Sequence, residues 1–295
     1  WAMWFWEKPW MRERLRRAER KTLPGFGLHI AARKRAVEDL TRRALAEGFT
    51  QVVVVGAGYD TLAARLFKSF PKVTFIELDR VPTQRVKIRA VLGKLLPAPN
   101  LAAASLNLHK ETLQDALARC PLYRSGADTL FIAEGLLMYL PLEPVNELFA
   151  AARAQGGART RMLFTFLEPQ GEGGVDFART LSAGTGLRDL PTARREPFVF
   201  GLERQKLDKW LGERGFVKKE LLGSQAFRHH YLGGVVEVGD VVWVRALAPL
   251  AGIAFKPSLK PHNPNRVEVL IDLVFEKRIA NFGGVGRRAF VQNPG

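Results

Sequence analysis

The feature that most constrains this chain is a five-residue run, Gln51-Val-Val-Val-Val55, followed at once by Gly56-Ala57-Gly58. Four consecutive valines leave no polar side for water. The strand they form must be covered on both faces, as strands of a parallel sheet are. Branching at Cβ favours extended backbone, and the glycines end it. Thr61 to Phe70 then has the spacing of a helix, so strand, tight turn and helix follow one another as in a βαβ unit.

The alternation continues. Strands are expected at Val73 to Leu78 (ending in Asp79), Leu101 to Leu108, Asp128 to Ala133 (ending at Glu134) and Met162 to Leu167. Helices are expected at Val86 to Leu96, Leu113 to Arg119 and Val145 to Ala154, with an amphipathic helix, His29 to Ala46, before the first strand. This predicts an α/β fold with a doubly wound, mostly parallel, Rossmann-like sheet. Beyond the fifth strand the pattern breaks into a Gly-rich stretch, then a helix at Leu202 to Arg214. Phe216 to Leu222 and Val235 to Leu247 read as closing strands, one of them antiparallel. The expected organisation is one domain over 1–247, with 1–47 as a helical cap and 168–201 as an inserted lid or substrate region. The tail, 248–295, holds one apolar segment, Val267 to Phe275, with no assigned place.

Composition narrows the function. A single cysteine, Cys120, excludes an intramolecular disulfide and any cysteine metal cluster, and suits a reducing compartment such as the cytoplasm. No long uncharged apolar run reads as a membrane span, and Trp1 to Trp10 lacks the pattern of a cleaved leader. The formal charge is +16, from 45 Lys+Arg against 29 Asp+Glu. Such a charge can favour nucleic acid. Here the basic residues are scattered and do not interleave with aromatics as in RNA-binding signatures, so a basic solvated surface is the preferred reading.

Three motifs carry chemistry. Gly56-Ala57-Gly58-Tyr59-Asp60 lies between a buried strand and a helix, where bare backbone and helix amides can meet a ligand. A dinucleotide fingerprint would place a third glycine at Thr61. Its absence favours a nucleoside without a pyrophosphate over a nicotinamide cofactor, and so argues against an oxidoreductase. Asp79, about 20 residues further on, ends the second strand, where a carboxylate can accept from ribose hydroxyls; Glu77 is the alternate. Glu134 ends the fourth strand, facing the crevice at the carboxyl edge of the sheet, and needs a cationic or donor partner there.

Taken in order, an arginine-bearing helix, Gly-Ala-Gly-x-Asp-Thr, Phe-x-x-x-Asp and Glu134-Gly-Leu-Leu-Met-Tyr-Leu140 resemble the leucine carboxyl methyltransferase family, in its bacterial O-methyltransferase branch. The resemblance covers roughly residues 24 to 247. It implies a class I methyltransferase using S-adenosyl-L-methionine and no metal, with a small-molecule acceptor. It places the cofactor along Gly56, Ala57, Gly58 and Asp60. It gives the methionine carboxylate to Arg33 (Arg35 second), the ribose to Asp79 and the methionyl amino end to Glu134. The family's Asp-Leu pair at the adenine reads Asn107-Leu108 here, with an amide for a carboxylate.

Tyr139, where the crevice opens, is the candidate for orienting the acceptor. His229, His230 and Tyr231, and Arg188, Arg194 and Arg195, read as surface groups. An RNA methyltransferase, a nicotinamide oxidoreductase and a non-catalytic binder stay open as rivals.

Overall fold

The structure is a computed structural model. It describes residues 26–168 and 198–222, the strands at 236–238, 241–243 and 267–272, and Trp10, Glu13 and Arg17. His229 to Tyr231, Arg188, Arg194 and Arg195 lie outside the described residues, as does nearly all of the expected lid.

Nine strands are described: β1 (Gln51–Val55), β2 (Thr74–Asp79), β3 (Leu101–Ser105), β4 (Thr129–Ala133), β5 (Arg161–Thr165), β6 (Phe216–Leu222), β7 (Val236–Val238), β8 (Val241–Trp243) and β9 (Val267–Asp272). The helices are α1 (Phe26–Ala46), α2 (Leu62–Leu66), α3 (Val81–Ala90), α4 (Leu113–Ala118), α5 (Leu142–Gln155) and α6 (Leu207–Glu213). The main sheet runs β3-β2-β1-β4-β5-β9-β6, and every pairing in it is parallel. This is the α/β, doubly wound Rossmann-like architecture.

The valine run shows how sequence sets the layers. Val52 and Val54 enter one core, and Val53 and Val55 enter the other. The first core holds α1 and α2 through Ala36, Val37, Leu40, Leu62 and Leu66. The second holds α4, α5 and α6 through Leu117, Phe149 and Leu211. Each buried valine contributes about 1.5–3 kcal/mol of hydrophobic free energy, so strand and both helical layers are coupled. In α1, the buried positions Ala32, Ala36, Val37, Leu40, Ala44 and Leu45 follow helical spacing and fix which face meets the sheet.

Two expectations fail at the far edge. The antiparallel closing strand is not found among the described strands. Val235 to Leu247 instead gives β7 and β8, which pair with each other as a separate antiparallel hairpin. Val238 pairs with Val241, so only Gly239 and Asp240 separate the strands, the short glycine-containing link that favours local pairing. The place beside β5 goes to β9, from the segment left without a place, and β9 runs parallel to β5 and β6. The sheet therefore draws on residues beyond 247. The long stretch of chain between β6 and β9 supplies the length that a parallel crossover needs.

Helix bounds shift as well. α3 begins at Val81, five residues before the expected start, because Pro82 suits a first helical turn. Its inward residues are polar: Gln84 and Lys87. Lys87 Nζ meets Glu77 Oε2 at 2.5 Å, and the two side chains are only 2% and 1% exposed. Burial pushes the Glu77 carboxyl above its usual range although Lys87 opposes this. Among the described residues no helix is long and apolar enough to cross a membrane.

Candidate functional site

The strand order reverses direction at β1 and β4: β2 and β3 lie on one side of β1, and β4 and β5 on the other. In open α/β sheets the crevice beyond the strand ends at such a switch point takes the ligand. Gly56 follows β1 and Glu134 follows β4, so the sequence candidates stand on its two sides.

The turn after β1 is tightly built. Gly56 and Gly58 have φ of +66° and +49°, conformations that side chains disfavour. The Ala57 amide donates to Leu78 O at 3.0 Å, which ties the turn to β2. The Gly58 amide donates to Asp79 Oδ2 at 2.6 Å, and the Arg80 amide to Oδ1 at 2.6 Å. Asp79 is half-buried at the end of β2, and its carboxylate has further lone pairs for a ligand hydroxyl. Glu77, the alternate, is held in the core by Lys87.

Two details differ from the sequence reading. The bare face of Gly56 meets Leu136: a Cβ there would lie 2.8 Å from Leu136 Cδ1. The first amide of α2 is also already used, since Leu62 N donates to Asp60 Oδ1 at 2.5 Å. α2 is a short helix of five residues, so its amides do not form a general anion site.

At the other side of the crevice, α1 lays two cations against two carboxylates. Arg33 Nε pairs with Glu134 Oε1, and Lys34 Nζ pairs with Glu134 Oε2. Lys34 Nζ also lies 2.5 Å from Asp60 Oδ2. Glu134 is 8% exposed and Lys34 35%. Burial opposes ionisation of Asp60, but the charge and hydrogen bond of Lys34 and the Leu62 amide outweigh it and hold the carboxyl below its usual range. Arg35, the second choice for a ligand carboxylate, points outward and pairs with Asp39 at 3.3 Å.

Val37, Gly56, Ala57, Asp60, Leu62, Ile132 and Glu134 enclose a narrow cavity of about 10 Å³, room for one water molecule. A larger depression of about 480 Å³, lined by residues including Asn146, Arg153, Glu213 and Arg214, shares no residue with it.

Asn107 follows β3, where its Oδ1 accepts from the His109 amide at 3.2 Å and its carbonyl accepts from Lys110 N at 2.8 Å. It thus shapes the turn after the strand, and Leu108 packs partly buried against the core. Tyr139 ends a short 3₁₀ turn, Leu137–Tyr139. The Met138 carbonyl accepts from Val199 N at 2.8 Å, and the Tyr139 and Phe198 rings lie 5.2 Å apart. Leu202 N donates to Leu167 O at 2.9 Å, so Phe198 and Val199 lie beside Tyr139 and Met138 while Leu202 lies beside Leu167.

Sequence reasoning missed Lys34 as a site residue. Nothing in the local sequence singles it out between Arg33 and Arg35, and its partners Asp60 and Glu134 lie 26 and 100 residues away. Among the described residues no group of histidine, cysteine and acidic side chains is arranged to hold a metal.

The model of the leucine carboxyl methyltransferase family matches residues 2–153, which take in the glycine turn, Asp79, Glu134 and Tyr139. The chain belongs to the leucine carboxyl methyltransferase family. It is an enzyme family, and curated relatives of this member carry the cofactor in their names. A Mycobacterium bovis protein named "Putative S-adenosyl-L-methionine-dependent methyltransferase" is 29% identical over 199 residues, 65% of this chain and 64% of its own. A Streptomyces avermitilis protein of like name is 33% identical over 138 residues, 46% of this chain and 47% of its own. The chain thus spans less than two thirds of the length of these relatives. A solved Thermobifida fusca protein named "putative methyltransferase" is 16% identical, with a TM-score of 0.48 over 70% of this chain and 74% of that one.

Proposed function

We propose that this member of the family binds S-adenosyl-L-methionine at the switch point and methylates an oxygen, carboxyl or hydroxyl, of a small molecule. The observation that carries this reading is the charge set at the crevice. Arg33 and Lys34 face Glu134 and Asp60 there, with Asp79 at the next strand end.

The chemistry of these groups fits the cofactor. An amino-acid end carries one carboxylate and one ammonium, and the cluster holds cations and carboxylates that now satisfy each other. A zwitterion can enter by exchange, replacing each internal partner with one of its own charges, so no charge is left buried alone. Arg33 would take the carboxylate and Glu134 the ammonium. Asp79 would accept from the ribose hydroxyls, and the turn at Asn107 and Leu108 would border the base. With the cavity this narrow, Leu136 and the ion pairs must shift when the cofactor enters.

When bound, the cofactor supplies a methyl already activated on a sulfonium sulfur. The work left to the chain is alignment and the exclusion of water. Tyr139, beside Phe198, would orient the acceptor, and the 168–201 region would cover it. A carboxylate acceptor is ionised at neutral pH and needs no base; a hydroxyl would benefit from one. We place the reaction in a reducing compartment such as the cytoplasm, to which the free, buried Cys120 is suited.

The test is transfer of a labelled methyl group from S-adenosyl-L-methionine across a library of carboxylic acids, phenols, alcohols and amines, with total RNA as a further acceptor. Label in an ester or ether supports the reading. Label confined to nitrogen acceptors or RNA, or none in any acceptor, overturns it.

A further inference from the structure

Lys34 sits in the ion-pair cluster without a partner role in the cofactor assignment above. Its Nζ lies between two carboxylates from different strand ends, 2.5 Å from Asp60 Oδ2 and in contact with Glu134 Oε2. Glu134 is the most buried member of the cluster, and Lys34 the most exposed. The ammonium therefore reaches inward from the solvent side on a flexible four-carbon stem.

Two ionised carboxylates converging on one point need a cation between them. The α-ammonium of an amino-acid ligand is chemically the same group as the lysine head: one charge and three donors. Arg33 differs. It holds the other oxygen of Glu134 through Nε, and its Nη2 lies where a Cβ on Gly135 would be only 3.7 Å away. Its side chain is 15% exposed, so it is a fixed wall of the site where Lys34 is a movable one.

We infer that Lys34 is a tethered counter-ion: in the ligand-free protein its ammonium fills the ligand-ammonium position between Asp60 and Glu134, and it yields Glu134 when the ligand arrives. The inference rests on the methyl-transfer reading and adds a competitor to it. A cation on the same chain competes at every ligand concentration. It lowers the apparent affinity for ligands that carry an ammonium and leaves ligands without one unaffected.

The experiment is calorimetric titration of the full chain with three probes: S-adenosylhomocysteine, its des-amino analogue (carboxylate kept, ammonium absent) and 5′-methylthioadenosine (neither group). The proteins are the wild type, Lys34→Met and Lys34→Arg. Lys34→Met is expected to raise the preference for S-adenosylhomocysteine over its des-amino analogue about tenfold. Its affinity for 5′-methylthioadenosine should not change, which also reports an intact fold, and Lys34→Arg should keep the wild-type preference. If Lys34→Met does not fold, the same ratio is read in Lys34→Gln.

An unchanged or reduced preference overturns the inference. So does equal weakening toward both carboxylate ligands, which would make Lys34 a carboxylate clamp. A wild-type protein that binds no S-adenosylhomocysteine overturns the methyl-transfer reading itself, and the inference with it. A wild-type complex with an unchanged preference sinks the inference alone.

Discussion

The amide of Gly58 donates to Asp79 Oδ2 at 2.6 Å, so the turn after the first strand and the carboxylate ending the second form one unit. Asp79 Oδ1 is engaged in turn by the Arg80 amide. The carboxylate that would receive a ribose is held in place by backbone before any ligand is present, so little side-chain freedom remains to be lost on binding.

Gly56→Ala should be costly for its backbone alone. At φ of +66° a side chain is strained, and its Cβ would press on Leu136 at 2.8 Å. A loss of about 1–3 kcal/mol is expected in denaturant unfolding. A variant as stable as the wild type would show that the turn can relax without the glycine.

Asp60→Asn should lose stability in a pH-dependent way. The folded Asp60 carboxyl titrates below its ordinary value of 3.8, after burial is outweighed by Lys34 and the Leu62 amide. A depressed carboxyl contributes stability above its unfolded pKa, and that contribution disappears as pH falls through the folded one. The variant keeps an oxygen for the Leu62 amide but loses the ion pair. It should be less stable by about 1–2 kcal/mol at pH 7, with the difference closing below about pH 4. A gap that stays constant down to pH 2 would mean that Lys34 does not stabilise the ionised form.

Lys87→Met should be among the most damaging single changes in α3. It leaves Glu77 buried without its cation, an arrangement that costs about 3–5 kcal/mol. Adding Glu77→Leu should recover most of the loss, because the replaced pair is then apolar throughout. Thermal unfolding of the single and double variants checks this, and equal losses in both would show that packing, not charge, decides the site.

Tyr139→Phe keeps the ring that packs on Phe198 at 5.2 Å and removes only the hydroxyl. With any acceptor identified by methyl transfer, kcat should fall about tenfold while cofactor affinity holds. Equal turnover in the variant would remove Tyr139 from the acceptor site and leave it a packing residue.

Much of this was legible in the sequence because it is local. An unbroken valine run can only be a strand buried on both faces, and the order of strands and helices sets the crossovers. Gly56, Asp79 and Glu134 could be placed because each ends or follows a strand, where the sheet edge fixes its position. Residues whose surroundings come from distant segments were not legible. Lys34 reads as one charge in a basic stretch until α1 is laid across the strand ends. Lys87 lies in a polar helix, and nothing nearby in sequence marks the buried Glu77 as its partner. β9 joins the sheet from far down the chain, after a stretch whose hairpin pairs with itself. Leu136 over Gly56 is a matter of packing that spacing does not encode.

The central claim is that the switch-point crevice, with Asp79 at its rim, is built for an adenosyl sulfonium. Calorimetric titration of S-adenosyl-L-methionine into the wild type and Asp79→Ala tests it most directly. One site per chain is expected in the wild type, with binding at least about tenfold weaker in the variant. No binding to the wild type, or equal affinity in both proteins, would contradict the account.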